Sequence, residues 1–191
     1  MNKLQSALGF GGVLTQEDIS RALAHFKYKK LQPGDYFHPI NKIANEIAFV
    51  EQGVLRVYAC DDSGNEITKY FIKENQFGVD LVSYHASKPS KDAFQAAITS
   101  EIYVIHKSVI EKLCEEIPNF YIFLKSATEV QLLNKIKDND FLNFGDAKTK
   151  YLEFVNRYPT LAQQVPQQYI ASYLKITPQS LSRIRKSLLK N

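Results

Sequence analysis

Residues 167–184 read QQYIASYLKITPQSLSRI, which is the pattern of two short helices joined by a tight turn. Thr177 suits a helix N-cap, and Pro178 suits the first helical position, where its missing N–H costs nothing. The small side chain of Ala171 marks the point where two helices cross closely, and Ile176 anchors the turn in the core. The segment is therefore predicted to be a helix-turn-helix.

The second helix, predicted over residues 178–189, presents a polar and basic surface. Gln and Arg side chains match the hydrogen-bonding edges of adenine and guanine in the major groove. Hydroxyl and lysine side chains suit phosphate contacts, which position a protein without reading sequence. The predicted DNA contacts are Thr177, Gln179, Ser180, Ser182, Arg183, Arg185 and Lys186.

The distribution of charge supports a polyanionic partner. The chain as a whole has a formal net charge of +4, but residues 1–143 hold 16 Lys and Arg against 18 Asp and Glu. Residues 144–191 hold 8 basic residues against Asp146 and Glu153 alone. Such asymmetry is typical of binding to phosphates, because each contact releases condensed counterions. A solvated basic tail is the alternative explanation.

The first two thirds of the chain have a different texture. Residues 1–26 are predicted to be helical, with Thr15 as an N-cap. Residues 27–105 consist of short apolar runs broken by turns, which predicts an antiparallel sandwich or barrel. The predicted strands are 47–50, 54–58, 67–72, 94–98 and 102–105, with a hairpin loop at 61–65.

Beyond Lys107 only helices are predicted. Ser108 caps a helix that runs through Glu115, and Asp146 to Arg157 forms another. Between them, a long helix runs from Asn119 to about Asn139, and its position between the two halves predicts a hinge and a dimer seam. Its apolar residues are spaced by three and four: Phe123, Ala127, Val130, Leu133 and Ile136.

Composition excludes several classes of protein. The 191 residues, 45% of them hydrophobic, fit one or two globular units. We find neither a membrane span nor a signal pattern, so a cytoplasmic protein is predicted. Cys60 and Cys114 are far apart and predict buried free thiols rather than a metal site. The sequence has no motif for a nucleophile, a catalytic metal or a phosphate-binding loop, which argues against an enzyme.

From about residue 15 to the C-terminus the chain resembles the CRP/FNR transcription regulators. The resemblance is carried by LQPGD (31–35), FVEQGVLRVY (49–58), DSGNE (62–66), Phe77-Gly78 and residues 170–184. It implies an α+β fold with three parts: a cyclic-nucleotide-binding-like antiparallel β-roll (1–118), a connecting and dimerisation helix (119–143) and a helix-turn-helix domain (144–191). It also implies a homodimer on a palindromic operator, RNA polymerase as a candidate partner, and Gln179, Ser180 and Arg183 as the base-reading residues.

The chain departs from the family where cyclic AMP would bind. Cyclic AMP-binding members have Gly-Glu-Leu followed later by Arg-Ser/Thr-Ala, whereas this chain has Gly78-Val79-Asp80-Leu81 and then Lys91-Asp92-Ala93. Lysine lacks the two-pronged geometry of arginine, and Asp92 would repel a phosphate. Residues 84–90 are expected to lack the family's short helix, and residues 160–165 to be a remnant of its wing hairpin. Gly78, Asp80, Lys91 and Asp92 remain the candidate effector residues.

Two functions stay open from the sequence. The first is a DNA-binding transcription regulator whose roll senses an unknown effector, with cyclic nucleotide disfavoured and no cofactor assigned. The second is a protein whose roll binds a ligand or partner and whose C-terminal helices only pack, without specific DNA binding. The basic helix-turn-helix favours the first.

Overall fold

The computed structural model describes residues 3–188, except for the side chains of Asn134 and residues 137–140. An N-terminal roll of two four-stranded antiparallel sheets is followed by a long helix and a helical C-terminal part, which confirms the predicted α+β fold. The strands are β1 Lys27–Leu31, β2 Tyr36–His38, β3 Glu46–Gln52, β4 Leu55–Cys60, β5 Glu66–Ile72, β6 Phe77–Gly78, β7 Asp92–Ala96 and β8 Ser100–His106. The strand orders are β1-β8-β3-β6 and β2-β7-β4-β5.

The two sheets enclose an apolar core, and β3 shows how the sequence builds it. Ala48 and Val50 face the opposite sheet and pack with Leu55 and Phe94. Phe49 points to the other side and joins a second core beneath the N-terminal helices. Successive side chains of a strand point to opposite faces, so a strand buried on both sides reads as a continuous apolar run.

Gly53 links β3 to β4 in a conformation that requires glycine. Its φ is +97°, in the left-handed region. A Cβ at this position would collide with Ser100 and with the Thr99 carbonyl oxygen. The glycine inside the FVEQGVLRVY motif therefore allows the hairpin to pass close to β8.

The helices flank the roll and follow it in sequence. They are α1 Lys3–Leu8, α2 Gln16–Leu23, α3 Leu81–Ala86, α4 Lys107–Glu116, α5 Phe120–Asp140, α6 Ala147–Arg157, α7 Pro159–Gln164, α8 Gln167–Tyr173 and α9 Pro178–Leu188. Residue 189, the predicted end of the last helix, lies outside the described residues. No helix within the described part of the chain is long and apolar enough to cross a membrane.

The N-terminal helical prediction needs one correction. The described part of this segment is helical as predicted, but a 3-10 turn at Phe10–Gly12 divides it into α1 and α2. Gly11 has a φ of +71°, which a right-handed helix cannot accommodate. The predicted cap at Thr15 is confirmed: its hydroxyl accepts the Asp18 N–H at 3.1 Å, and Asp18 accepts the Thr15 N–H at 3.2 Å.

Two further predictions are wrong in the same way, since each overlooked a short helix. Residues 81–86 form α3, although residues 84–90 were expected to lack the family's short helix. Residues 159–164 form α7, so the segment taken for a wing remnant is helical. Helices of six residues bury too few side chains to give a periodic pattern.

Smaller corrections concern one cap and one thiol. The N-cap of α4 is His106, whose Nδ1 accepts the Ser108 N–H at 3.2 Å, and not Ser108 itself. Cys60 is exposed at the end of β4, whereas Cys114 is partly buried. Both thiols are free as predicted.

The C-terminal helices share a core with the roll. Phe154, Leu161, Ile170 and Leu181 are buried among themselves. Tyr173 extends this cluster to the roll, since its ring lies 5.4 Å from that of Phe71 on β5. The roll and the helical part therefore pack as neighbours in this structure.

Candidate nucleic-acid interface

The helix-turn-helix is built by α8, α9 and the four residues between them. The Ile176 N–H donates to the Ala171 carbonyl at 3.0 Å, and Lys175 takes a left-handed φ of +57° that turns the chain sharply. Ala171 and Leu174 are fully buried, so the crossing of the two helices leaves room only for a small residue at Ala171. The roles predicted for Ala171 and the turn fit this geometry.

The start of α9 is capped. The Thr177 hydroxyl accepts the Ser180 N–H at 3.1 Å and also lies 2.9 Å from the Ser180 hydroxyl. Leu181 is fully buried beneath the helix. These two features fix the rotation of α9 and hence which side chains it presents to solvent.

The outward face of α9 carries Gln179, Arg183 and Lys186, all exposed. Their spacing of four and three places them in one row along the helix. Ser182 lies beside that row and is half-buried. This row can donate and accept hydrogen bonds over two turns of helix, and it contains two cations.

The remaining predicted contacts lie elsewhere. The Arg185 guanidinium points back toward α7, with Nη1 3.5 Å from the Ala162 carbonyl oxygen. Thr177 and Ser180 line a groove against Ile67 of β5, so they face the roll. The structure thus brings four of the seven predicted residues to one outward face and places three at its margins.

A basic surface surrounds the row. No acidic residue follows Glu153 in the sequence, whereas Lys175, Arg183, Arg185 and Lys186 all belong to the helix-turn-helix. Lys175 is exposed in the turn. Because the helix-turn-helix itself contains no acidic residue, its own side chains make the face positive and attract phosphates.

The opposite side of the helix-turn-helix is docked on β5. The Ser172 hydroxyl accepts the Thr68 N–H at 2.9 Å and donates to the Glu66 carbonyl at 3.3 Å. A side chain of α8 therefore satisfies backbone groups along a strand edge. The sequence shows no sign of this contact, because the partners are more than 100 residues apart.

Arg56 forms the centre of that docking surface. It is 1% exposed and lies between two rings, with its guanidinium carbon 4.3 Å from the Tyr58 centroid and 4.0 Å from that of Tyr169 on α8. Its Nη1 pairs with Glu66 at 2.6 Å, and its Nε donates to the Thr68 hydroxyl at 2.9 Å. The signal that sequence reasoning missed is one charged residue inside an apolar strand.

The candidate effector residues lie around α3. Gly78 is buried in β6 opposite Ala48. Asp80 caps α3, accepting the N–H groups of Val82 and Ser83 at 3.0 and 3.1 Å, and it also accepts the Ser90 hydroxyl. These contacts give the Asp80 carboxylate a structural role.

Asp92 and Lys91 are neighbours in sequence but lie in different surroundings. Asp92 pairs with Lys69 at 2.8 Å, and its backbone bonds to the Ser90 hydroxyl. Lys91 is exposed. Ser90 joins Asp80 to Asp92, while the Lys91 cation is not part of that cluster.

Comparison with known proteins identifies the fold. No protein-family model and no curated protein sequence matches the chain. Solved structures do match. The c-di-GMP-responsive global regulator CLP of Xanthomonas campestris is 15% identical, with 92% of each chain covered and a TM-score of 0.72. FixK2 of Bradyrhizobium japonicum is 16% identical over 86% of this chain and 85% of that one, with a TM-score of 0.69.

The Thermus thermophilus catabolite activator protein is 16% identical over 96% of this chain and 87% of that one, with a TM-score of 0.57. These neighbours are regulators of the CRP/FNR type, so the fold expected from the sequence resemblance is confirmed. At these identities the likeness establishes architecture, and function has to be argued from the site.

Proposed function

We propose that the chain is a DNA-binding transcription regulator of the CRP/FNR type, which binds a palindromic operator as a homodimer. The observation that carries the proposal is the outward row of Gln179, Arg183 and Lys186 on a capped helix in a unit that has no acidic residue beyond Glu153. In this proposal α9 is the recognition helix and lies in the major groove.

Roles within the interface follow from side-chain chemistry. Arg183 reads guanine with two parallel hydrogen bonds, and Gln179 reads adenine. Lys186 and Lys175 contact phosphates, which strengthens binding on any sequence. Thr177, Ser180 and Arg185 position α9 from its margins.

A homodimer is supported by the outer face of α5. Ile122, Leu133 and Ile136 are each more than half exposed, on the side of the helix opposite buried Phe120 and Phe123. An apolar row of this kind along a 21-residue helix is suited to pairing with a second copy. Two copies would present two α9 helices to half-sites about 34 Å apart.

The effector of the roll is proposed to be something other than a cyclic nucleotide. A cyclic phosphate needs donors with arginine's geometry, whereas this chain has Lys91 followed by Asp92, whose carboxylate would repel an anion. A regulator of this kind works in the cytoplasm, and RNA polymerase is its expected protein partner.

The test is selection of genomic DNA fragments by the purified full chain, followed by titration of the selected site. Arg183→Ala is expected to weaken the selected site about 10- to 100-fold and to relax preference at one base pair. Lys148→Ala, which removes a charge from α6 outside the helix-turn-helix, is the matched control and should change affinity little.

A second function is favoured by the docking of α8 on β5 through Ser172 and Arg56. In it, the roll binds a ligand or partner and the C-terminal helices only pack. Failure to select any sequence, or equal affinity of the native chain and Arg183→Ala for the selected site, would favour this second function over the first.

A further inference from the structure

A cavity of about 250 Å³ lies where the roll, α5 and the C-terminal helices meet. Ile72 and Phe77 of the roll, Leu124 and Ala127 of α5, and Tyr158 and Leu161 of the C-terminal part contribute to its wall. The cavity is many times larger than the space that one water molecule needs. It therefore has room for a small organic molecule.

The charge of the cavity wall has one sign. Among the described residues that line it, Lys73 and Lys135 are charged, and none is Asp or Glu. The Lys135 ammonium lies 3.9 Å from the Tyr70 ring centroid, and the Lys73 ammonium 4.1 Å from that of Tyr158. Two ammonium groups beside an apolar space favour an occupant that carries negative charge.

Three neutral polar side chains of the wall are already engaged. The Thr128 hydroxyl donates to the Leu124 carbonyl at 2.8 Å, and the Gln76 side chain accepts the Lys73 backbone N–H at 2.9 Å. The Gln131 amide lies 2.8 and 2.9 Å from the carbonyl oxygen and the nitrogen of Phe77. These three side chains therefore offer few free donors or acceptors to a ligand.

Lys135 is exposed as a residue, but its ammonium lies against the Tyr70 ring at the cavity wall, where it loses part of its hydration. Desolvation lowers the pKa of this ammonium, and nearby Lys69 lowers it further, whereas Asp92 and Asp80 oppose the shift. An ammonium that has lost part of its hydration is attracted more strongly to a carboxylate than a fully hydrated ammonium is.

We propose that this cavity binds an amphipathic carboxylate, with an apolar chain inside and its head group at Lys135 and Lys73. Binding of the carboxylate does not depend on the proposed function. Its role as an effector does rest on the proposed function. Tyr158, Leu161 and Tyr173 line the same space, so an occupant touches the C-terminal helices directly. Occupancy would then shift the population of docked helix-turn-helix units.

The experiment uses the full chain and sodium decanoate below its micelle concentration, with calorimetric titration and thermal unfolding as readouts. Decanoate is expected to bind and to raise the Tm. Octanoate, which buries two fewer methylene groups, should bind about tenfold more weakly. Decan-1-ol, which has the chain without the charge, should also bind at least tenfold more weakly than decanoate.

Lys135→Gln should weaken decanoate binding at least tenfold while leaving the unliganded Tm nearly unchanged. Lys125→Gln, on the outer face of the same helix, is the matched control and should bind decanoate like the native chain. Ala127→Leu, which fills part of the cavity, should weaken decanoate and decan-1-ol alike.

The proposal is overturned if decanoate neither binds nor shifts the Tm of the native chain, or if Lys135→Gln and Lys125→Gln bind it equally. Binding with no change in DNA affinity would leave the site standing and remove its role as an effector site. Calorimetric titration and thermal unfolding involve no DNA, so the cavity proposal and the DNA-binding proposal can fail separately.

Discussion

Arg56 shows how one side chain joins two parts of this molecule. Burying a guanidinium is costly unless its charge and its donors are matched. Here Glu66 supplies the charge, Thr68 takes one donor, and the rings of Tyr58 and Tyr169 cover both faces. Since Tyr169 belongs to α8, the same residue stabilises the roll and holds the helix-turn-helix against it.

Replacing Arg56 tests this account. Arg56→Met keeps an unbranched side chain but removes the ion pair, the hydrogen bond to Thr68 and two cation–π contacts. We expect the free energy of unfolding in urea to fall by about 2–4 kcal/mol. Lys29→Met, which breaks an exposed pair with Glu46, should cost less than about 1 kcal/mol. Similar losses for the two variants would show that burial of Arg56 adds nothing.

We expect the buried side chain of His38 to make the stability of the fold depend on pH. It is 8% exposed, its Nε2 has no hydrogen-bond partner among the described residues, and burial lowers its pKa, with Asp80 acting the other way. The unfolded chain therefore binds more protons than the folded one from about pH 6.5, the ordinary histidine pKa, down to the folded pKa. Stability should fall as the pH drops through that window.

Urea unfolding of the native chain and of His38→Leu between pH 7.5 and pH 5 provides the measurement, with about pH 6.5 as the expected onset. The native chain should lose stability more steeply than the variant. His25, His85 and His106 are exposed and common to both proteins, so they cancel in the comparison. Parallel curves would contradict the prediction.

Among the elements, those with strong local signals could be predicted from the sequence. Thr15, Asp146 and Thr177 each begin a helix by accepting a backbone N–H, as their side chains allow. Five of the eight strands, β3, β4, β5, β7 and β8, were recognisable from short apolar runs between turns, whereas β1, β2 and β6 were not predicted. The caps and the apolar runs are local signals, because their residues lie within a few positions of each other in the chain.

Elements that depend on distant partners could not be predicted. The helix α3 rests on Asp80 and on Ser90, which follows it, and α7 is a six-residue helix buried only through Leu161 and Ala162. The docking of Ser172 on Thr68 spans 104 residues. Neither periodicity nor composition records such contacts.

The cap of α9 offers a prediction at the scale of the element. Thr177→Ala removes the acceptor for the Ser180 N–H and should cost about 1 kcal/mol of stability in urea unfolding. Ser187→Ala, near the end of the same helix, removes a hydroxyl that bonds only the Ile184 carbonyl and should cost less than about 0.5 kcal/mol. Equal costs would show that Thr177 does not act as a cap.

At the scale of the molecule, α5 serves two surfaces. The apolar positions Phe123, Ala127, Val130, Leu133 and Ile136 were expected to form one seam. Every step of three residues falls about 60° short of a full turn, so the row winds around the helix. Phe123 therefore packs on the roll, while Leu133 and Ile136 are 57% and 52% exposed on the other side. One helix can thus contact the cavity and a second copy together.

The outer face predicts the oligomeric state. In the proposed dimer, Leu133 and Ile136 of two copies pack together, and two lysines in their place would bring four charges into one seam. Leu133→Lys with Ile136→Lys should therefore convert a dimer into a monomer in sedimentation, without loss of helical signal. The palindromic operator should then be bound much more weakly, because each half-site is engaged alone.

Leu152→Lys is the matched control for this change, since Leu152 is 44% exposed on α6, away from the seam. It should sediment like the native chain. If the native chain sediments as a monomer, the proposed dimer does not form. If the double variant remains a dimer, the dimer contact lies elsewhere. Affinity for the palindromic operator should fall whenever sedimentation shows loss of the dimer, because the separation of two α9 helices is defined only when the α5 helices pair.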